Sequence, residues 1–395
     1  MSVVQEVIYD PFLPEKWMDP IPAYKKLLRE RPVYHLETRD LWILSRYDDI
    51  MNALKDWQTF SSGKGGNTLN DEKTPERIGN TLGTTDPPKH DYLRRIIGVV
   101  FTPKYVAGLE PEMRRIVRDL IGKFKDKRSF DAQWDFAYPY TASFVGKMIG
   151  VPDKDIQYFV DAASAGLKMT EEQKNSAEYV LAHFNKIIRF CEQLVESKKM
   201  NPGEDIISKL LAADVDGERL TAKEIGITAN TLIGAAFQST GMAIGCALST
   251  LYKHPEQLAE VCANHALIPG MVEEALRYDG STIGFKRMTT RDVELHGQVI
   301  PQGSKVFLNF GAANHDEEHF PDSERFDIHR KENKHLGFGW GVHMCLGAPI
   351  ARLMLKVAFE ELLPVLGSGY QVHMDRAVLS TRPQFRGYVE LPVTF

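Results

Sequence analysis

From Thr221 to Lys253 the chain keeps a helical pattern that is apolar on nearly all sides. Thr221 and Glu224 have the spacing of a capping box, a strong helix start. At 1.5 Å per residue such a helix is roughly 50 Å long, well beyond the three or four turns usual in globular domains. An apolar run of about 20 residues can also span a bilayer. Gln238, Ser239, Thr240, Ser249 and Thr250 interrupt residues 232–251, which favours a helix buried in protein. A helix of that kind needs other helices around it. The expected fold class is therefore mainly α.

The rest of the chain agrees. Helical patterns fit residues 23–31, 48–57, 89–100, 111–124, 137–149, 153–166, 172–199, 204–213, 255–263 and 268–278. Strand-like pieces fall at 32–36, 41–46, 285–289, 293–295, 298–300 and 305–310, with short strands and turns over 370–395. Residues 62–81 read as a loop, a length usually reserved for lids and binding elements. Residues 311–337 look irregular. No Pro/Gly/Ser-rich linker divides the chain, so residues 1–395 are expected to form one domain. A formal net charge of −5 does not favour nucleic acid. The N-terminal residues lack a basic region and an apolar core, so neither signal peptide nor membrane anchor is expected. Cys191, Cys246, Cys262 and Cys345 form no CxxC pair. Reduced thiols in a cytoplasmic protein fit best.

The chemistry concentrates in Phe338-Gly-Trp-Gly-Val-His-Met-Cys345-Leu-Gly347-Ala-Pro-Ile-Ala-Arg352. Gly339 and Gly341 suit a tight turn. Cys345 follows, and then an apolar run with helical spacing over residues 346–363. The sulfur thus lies at a helix start, where backbone N–H groups lack partners and the dipole favours negative charge. A thiolate is stabilised there, and a thiolate is a good iron ligand. Gly347 would let a flat macrocycle lie close to the backbone, and Phe338 could shield the sulfur from water. A lone cysteine after a glycine turn is usually a core residue. The full spacing Phe-x-x-Gly-x-His-x-Cys-x-Gly is much more specific.

This spacing resembles the haem-thiolate signature of the cytochrome P450 superfamily. The resemblance runs from Asp10-Pro11-Phe12 to Leu391-Pro392-Val393, with its motifs in the right order. It implies a single triangular domain, mainly α with a small β region. It also implies haem b (iron protoporphyrin IX) with Cys345 as the axial ligand. Glu274 and Arg277 share one helix face and match the superfamily's Glu-x-x-Arg pair, with Arg325 fitting the third member that holds the cysteine loop. Haem propionates need cationic or hydrogen-bonding partners. His90, Arg94, Arg287 and His335 match propionate-binding positions, and His343 is a fifth candidate.

The implied activity is that of a soluble bacterial-type monooxygenase. One atom of O2 enters the substrate, the other leaves as water, and a separate ferredoxin-type partner supplies electrons. The superfamily's central helix carries Ala-Gly-x-Asp/Glu-Thr-Thr; here the aligned residues are Ala235-Ala236-Phe237-Gln238-Ser239-Thr240. Gln238 replaces the acid and cannot ionise, although its amide can order a water. Ser239 keeps the hydroxyl. Proton delivery then falls to water, or in part to the substrate. By position, the substrate pocket is lined from loop 62–85, by Phe237, by Ile283 to Phe285, and by Gln384, Phe385 and Arg386. Phe237, Ile283, Phe285 and Phe385 suggest a small, flat, apolar pocket for a hydrophobic or aromatic substrate, hydroxylated or O-demethylated. The missing acid raises a peroxide-driven hydroxylase as an alternative, and a non-catalytic haem sensor is a third reading. Arg95, Lys89, Lys331, Lys334, Arg352 and Lys356 cluster around the haem-binding segments and are expected to steer an acidic ferredoxin.

Overall fold

The central helix spans Ala222–Lys253, 32 residues, or about 48 Å. Its start is the expected capping box. Thr221 Oγ1 accepts from the Glu224 N–H at 3.2 Å, and Glu224 Oε2 accepts from the Thr221 N–H at 2.8 Å. Every residue from Thr240 to Leu251 is buried, as a helix apolar all round requires. Of the described helices it alone is long and apolar enough to cross a membrane, and 67% of its apolar window is buried within the protein. The structure is a computed structural model and describes residues 7–13, 18–69, 78–167, 169, 172–173 and 176–395. Parts of the expected loop 62–81 and helix 172–199 lie outside the described residues.

Helices that pack on the central one include Tyr138–Ile149, Ala177–Met200, Ile268–Tyr278 and Ala348–Leu366. The buried tyrosines that tie this core find partners, as an apolar interior demands. Tyr370 Oη donates to the Leu248 carbonyl at 2.7 Å, and Tyr138 Oη to the Tyr388 carbonyl at 2.8 Å. One apolar cluster extends from Leu93 to Val393. Two features escape the sequence pattern. The helix Pro103–Gly108 is short, although Thr102 caps it and Pro103 opens it. Strand Ser129–Asp131 pairs with Pro392–Thr394, a partner some 260 residues away that no local pattern can specify.

The minor β region is a five-stranded sheet in the order Val33–Leu36, Leu41–Leu44, Lys305–Asn309, Gly284–Thr289, Phe60–Ser61. Leu41–Leu44 runs parallel to Lys305–Asn309, and the other pairs are antiparallel. Strand alternation puts Phe285 and Arg287 on one face, and both reach the large internal cavity. Ile283 does not. It is buried among Tyr9, Tyr24, Ile43 and Phe307, contrary to the pocket role expected from sequence. The regular alternation begins only at Gly284. Just before it the Thr282–Phe385 bridge presents Thr282 to the cavity instead.

Candidate active site

The cysteine loop is built by backbone conformation. Gly339 and Gly341 have φ of 64° and 69°, left-handed values that favour glycine. A Cβ on Gly341 would also stand 2.5 Å from the Leu54 carbonyl oxygen. The loop closes where the Cys345 N–H donates to the Phe338 carbonyl at 2.9 Å. The helix Ala348–Leu366 then begins, with Gly347 at its cap. Burial pushes the Cys345 thiol up, and the backbone N–H groups of Gly347 and Ala348, with Arg94 and Arg352, pull it back.

Cys345 faces a cavity of about 1590 Å³. That exceeds the ~300–1,000 Å³ of a site for one drug-sized ligand. The cavity has room for a cofactor and a substrate together. Gly347 has an ordinary φ of −84°, so its value lies in space. A Cβ there would meet only the Cys345 sulfur, at 4.0 Å, and otherwise occupy the cavity. His90 and His343 meet edge to face with centroids 4.5 Å apart. The Nε2 of each is buried without a partner. Burial lowers the pKa of His90, and that of His343 to about 2. Arg287 is buried, its pKa lowered by burial to about 10, and its Nη1 donates to the Lys286 carbonyl at 2.8 Å. Arg94 donates to the Met344 carbonyl at 2.8 Å. Two orphaned imidazole nitrogens and two guanidiniums in one wall are what a pair of buried carboxylates requires. The residues fit haem.

Two residues expected here are placed elsewhere. His335 does not line the cavity. Its Nδ1 accepts from the Gly337 N–H at 3.1 Å, and its Nε2 faces Glu273 at 3.3 Å. Glu273 in turn holds Arg352 at 2.7 and 2.8 Å, and the Arg352 guanidinium lies 4.5 Å from the Phe338 ring centroid. His335 therefore braces the cysteine helix from behind. Arg325 is exposed and takes part through its backbone: its carbonyl accepts from Arg277 and Arg330, and its N–H donates to the Asp322 carbonyl. The third member of the buried network is Arg330. Its Nε lies 3.2–3.3 Å from both Glu274 oxygens, while Arg277 binds the same carboxylate at 2.7 and 2.9 Å. Arg277 also donates to the carbonyls of Asn314 and Ser323. The network thereby pins the irregular stretch that leads into Gly337 and the cysteine loop.

On the opposite wall, Ala235, Ala236, Phe237, Gln238, Ser239 and Thr240 line the cavity. Ser239 Oγ donates to the Ala235 carbonyl at 2.6 Å, the back-bond common for a mid-helix hydroxyl. Its oxygen remains an acceptor. Gln238 is buried and its Nε2 has no partner, an orphaned donor suited to holding a water. Phe385 and Gln384 line the cavity, whereas Arg386 pairs with Asp279. Sequence reasoning missed Arg382, a further cation in the wall. It lies two residues before the suspected segment 384–386, and nothing local separates its environment from that of Arg386.

A long central helix, a buried Glu–Arg–Arg network and a cysteine loop under a cofactor-sized cavity define a haem-thiolate enzyme. The family model for cytochrome P450 matches residues 155–366. The chain is 34% identical to the cyclomarin C epoxidase of Salinispora arenicola, covering 87% of this chain and 91% of that protein. It is 32% identical to the nocardicin C N-oxygenase of Nocardia uniformis, over 96% of each. Among solved structures, CYP109E1 from Bacillus megaterium in complex with corticosterone matches with a TM-score of 0.87 and 28% identity, covering 96% and 99% of the two chains. The chain belongs to the cytochrome P450 family. It is a monooxygenase with haem b as its prosthetic group, and it uses O2, a redox partner and a small organic substrate.

Proposed function

We propose that this enzyme inserts one oxygen atom into a hydrophobic or aromatic substrate, by hydroxylation or oxidative O-demethylation, with electrons from a separate ferredoxin. The carrying observation is the cavity itself. Cys345 and Gly347 form one wall, Ser239 and Gln238 another, and Phe237, Phe285 and Phe385 line it as well. When bound through Cys345, haem supplies oxygen activation, with the thiolate donating electron density. His90, Arg94, Arg287 and His343 would hold its carboxylates. Gln238 orders a water through Nε2, and Ser239 Oγ accepts from that water. Water would then carry the protons, since the stretch 235–240 offers no carboxylate. The phenylalanines exclude bulk water from the reacting carbon.

Electron delivery is assigned to the face of the cysteine loop, where Trp340 and Met344 are exposed. Of the cations expected to steer a partner, Arg352 is tied to Glu273 and Lys356 to Glu360. Lys331 and Lys334 are exposed and remain candidates. We read residues 1–395 as one domain working in the cytoplasm, with Cys191, Cys246, Cys262 and Cys345 all free.

The test pairs a spectrum with turnover. Cys345→Ala is expected to abolish the thiolate-type absorption band of the carbon monoxide complex. Burial pushes the thiols of Cys191, Cys246 and Cys262 up, and none of them lines the cavity. Survival of the band would transfer the ligand role to one of those three. Product formation with NADH, ferredoxin and reductase, but not with peroxide alone, supports the ferredoxin-fed reading over a peroxide-driven one. A spectrum without any turnover indicates a sensor.

A further inference from the structure

The cavity wall holds more cations than haem can use. His90, Arg94, Arg287 and His343 answer the two propionates. Arg39 is paired with Asp10 at 2.7 Å, and Lys89 donates to the Gly79 carbonyl at 2.7 Å. Arg382 is left. It is half-buried in the 381–385 segment, beside Gln384 and Phe385. One contact holds its guanidinium: Nη2 reaches the Gly166 carbonyl at 3.4 Å, at the end of helix Ile156–Ala165. Among the described residues no carboxylate lies within 4.0 Å of it. Glu224, also in the wall, is engaged in the capping box. Glu192 lines the edge and is exposed. Burial lowers the pKa of Arg382, and only the Tyr138 hydroxyl raises it.

A guanidinium offers five N–H donors in a planar fork, and its geometry matches a carboxylate. Leaving such a charge in an apolar wall without a counter-charge is costly. One long bond to a carbonyl does little to offset that cost.

Resting on the monooxygenase reading of the same cavity, we propose that the substrate is an apolar carboxylic acid. Its carboxylate pairs with the Arg382 guanidinium, and its apolar body lies along Phe237 and Phe385, presenting carbon to the Cys345 side. Neutral apolar compounds of the same shape then fit the cavity but lose the charge-assisted bonds.

The experiment uses the haem-loaded enzyme and the low-to-high-spin shift at neutral pH. The probes are dodecanoate, biphenyl-4-carboxylate and 2-naphthoate, each with its primary amide. At least one acid is expected to bind roughly ten- to a hundredfold more tightly than its amide, the worth of hydrogen bonds to a charged group. Arg382→Gln is expected to erase that preference while leaving amide affinity within about threefold, and Arg382→Lys to keep part of it. If Arg382→Gln does not load haem, Arg382→Met replaces it. A panel in which no acid shifts the spectrum overturns the proposal, and so does an acid bound no better than its amide. Equal weakening of acid and amide in Arg382→Gln overturns it too, and assigns Arg382 to anchoring Gly166. Failure of the monooxygenase reading is separate, because it removes the thiolate-type carbon monoxide spectrum from the unmutated enzyme.

Discussion

Arg330→Ala is expected to loosen the cysteine loop, and Arg325→Ala is not. Glu274 is fully buried and accepts from Arg277, from Asn333 Nδ2 at 2.9 Å, from the Asp327 N–H at 3.0 Å, and from Arg330. The Arg330 side chain is 11% exposed. It also donates to the carbonyls of Pro321, Asp322 and Arg325 at 2.9, 3.2 and 3.2 Å. Losing one partner of a buried pair costs about 3–5 kcal/mol when the survivor is left uncompensated. Here Glu274 keeps Arg277, so the cost lies lower, near the ~1.5–3 kcal/mol of a charge-assisted bond plus part of the three carbonyl bonds. We expect about 2–4 kcal/mol. Arg325 is exposed and contributes through its backbone N–H and carbonyl, which alanine retains, so its loss falls within about 0.5 kcal/mol. Haem proteins depart from reversible two-state unfolding, and a rate is the sound measure. The assay is the half-life of the thiolate-type carbon monoxide spectrum at a fixed elevated temperature. Arg330→Ala should shorten it at least about tenfold, because the loop carries the sulfur. Equal half-lives for Arg330→Ala and the unmutated enzyme would refute the reasoning. A large loss in Arg325→Ala would do the same.

Product formed per NADH consumed tests the proton route. Gln238→Glu should leave coupling unchanged or improve it, since it restores an ionisable group beside the ordered water. Ser239→Ala should divert electrons to peroxide with every substrate if Ser239 itself takes part, at a cost on the order of 10²-fold in rate; uncoupling confined to substrates lacking a polar group would point to substrate-assisted delivery instead. The carboxyl of Glu273 is half-buried, which raises its pKa, but His335 and Arg352 hold it down to about 2 from an ordinary 4.5. A depressed carboxyl stabilises the fold above its ordinary value and loses that contribution as pH falls through its folded value. Resistance to acid unfolding should therefore decline between about pH 4.5 and 2, by at most about 3 kcal/mol. Glu273→Gln should flatten the decline in that window, and an unchanged acid profile would count against the brace.

What the sequence determined by itself is what local chemistry controls. The capping box of Thr221 and Glu224 is legible because both partners lie within one turn. The apolar run after it forces burial wherever it goes, and so dictates a helical shell. The glycine turn before Cys345 is legible because left-handed φ at Gly339 and Gly341 excludes most other residues. Glu274 and Arg277 are three apart on a helix, and their pairing follows from that spacing.

Tertiary structure decided the rest wherever backbone periodicity ended. Arg325 and Arg330 stand five residues apart in an irregular stretch, where no repeat says which side chain turns inward. Only the placement of that stretch against helix Ile268–Tyr278 aims Arg330 at Glu274. His335 and His343 both flank the loop, yet the Gly337 N–H and Glu273 engage one ring while the other leaves its Nε2 buried without a partner. Ile283 and Thr282 differ by one residue, and the bridge to Phe385 chooses between them. Arg382 and Arg386 differ by four, and Asp279, more than 100 residues earlier in the chain, neutralises only the second. In each case the deciding partner is distant in sequence, so a side chain's charge or shape became functional only when folding brought, or failed to bring, its complement alongside.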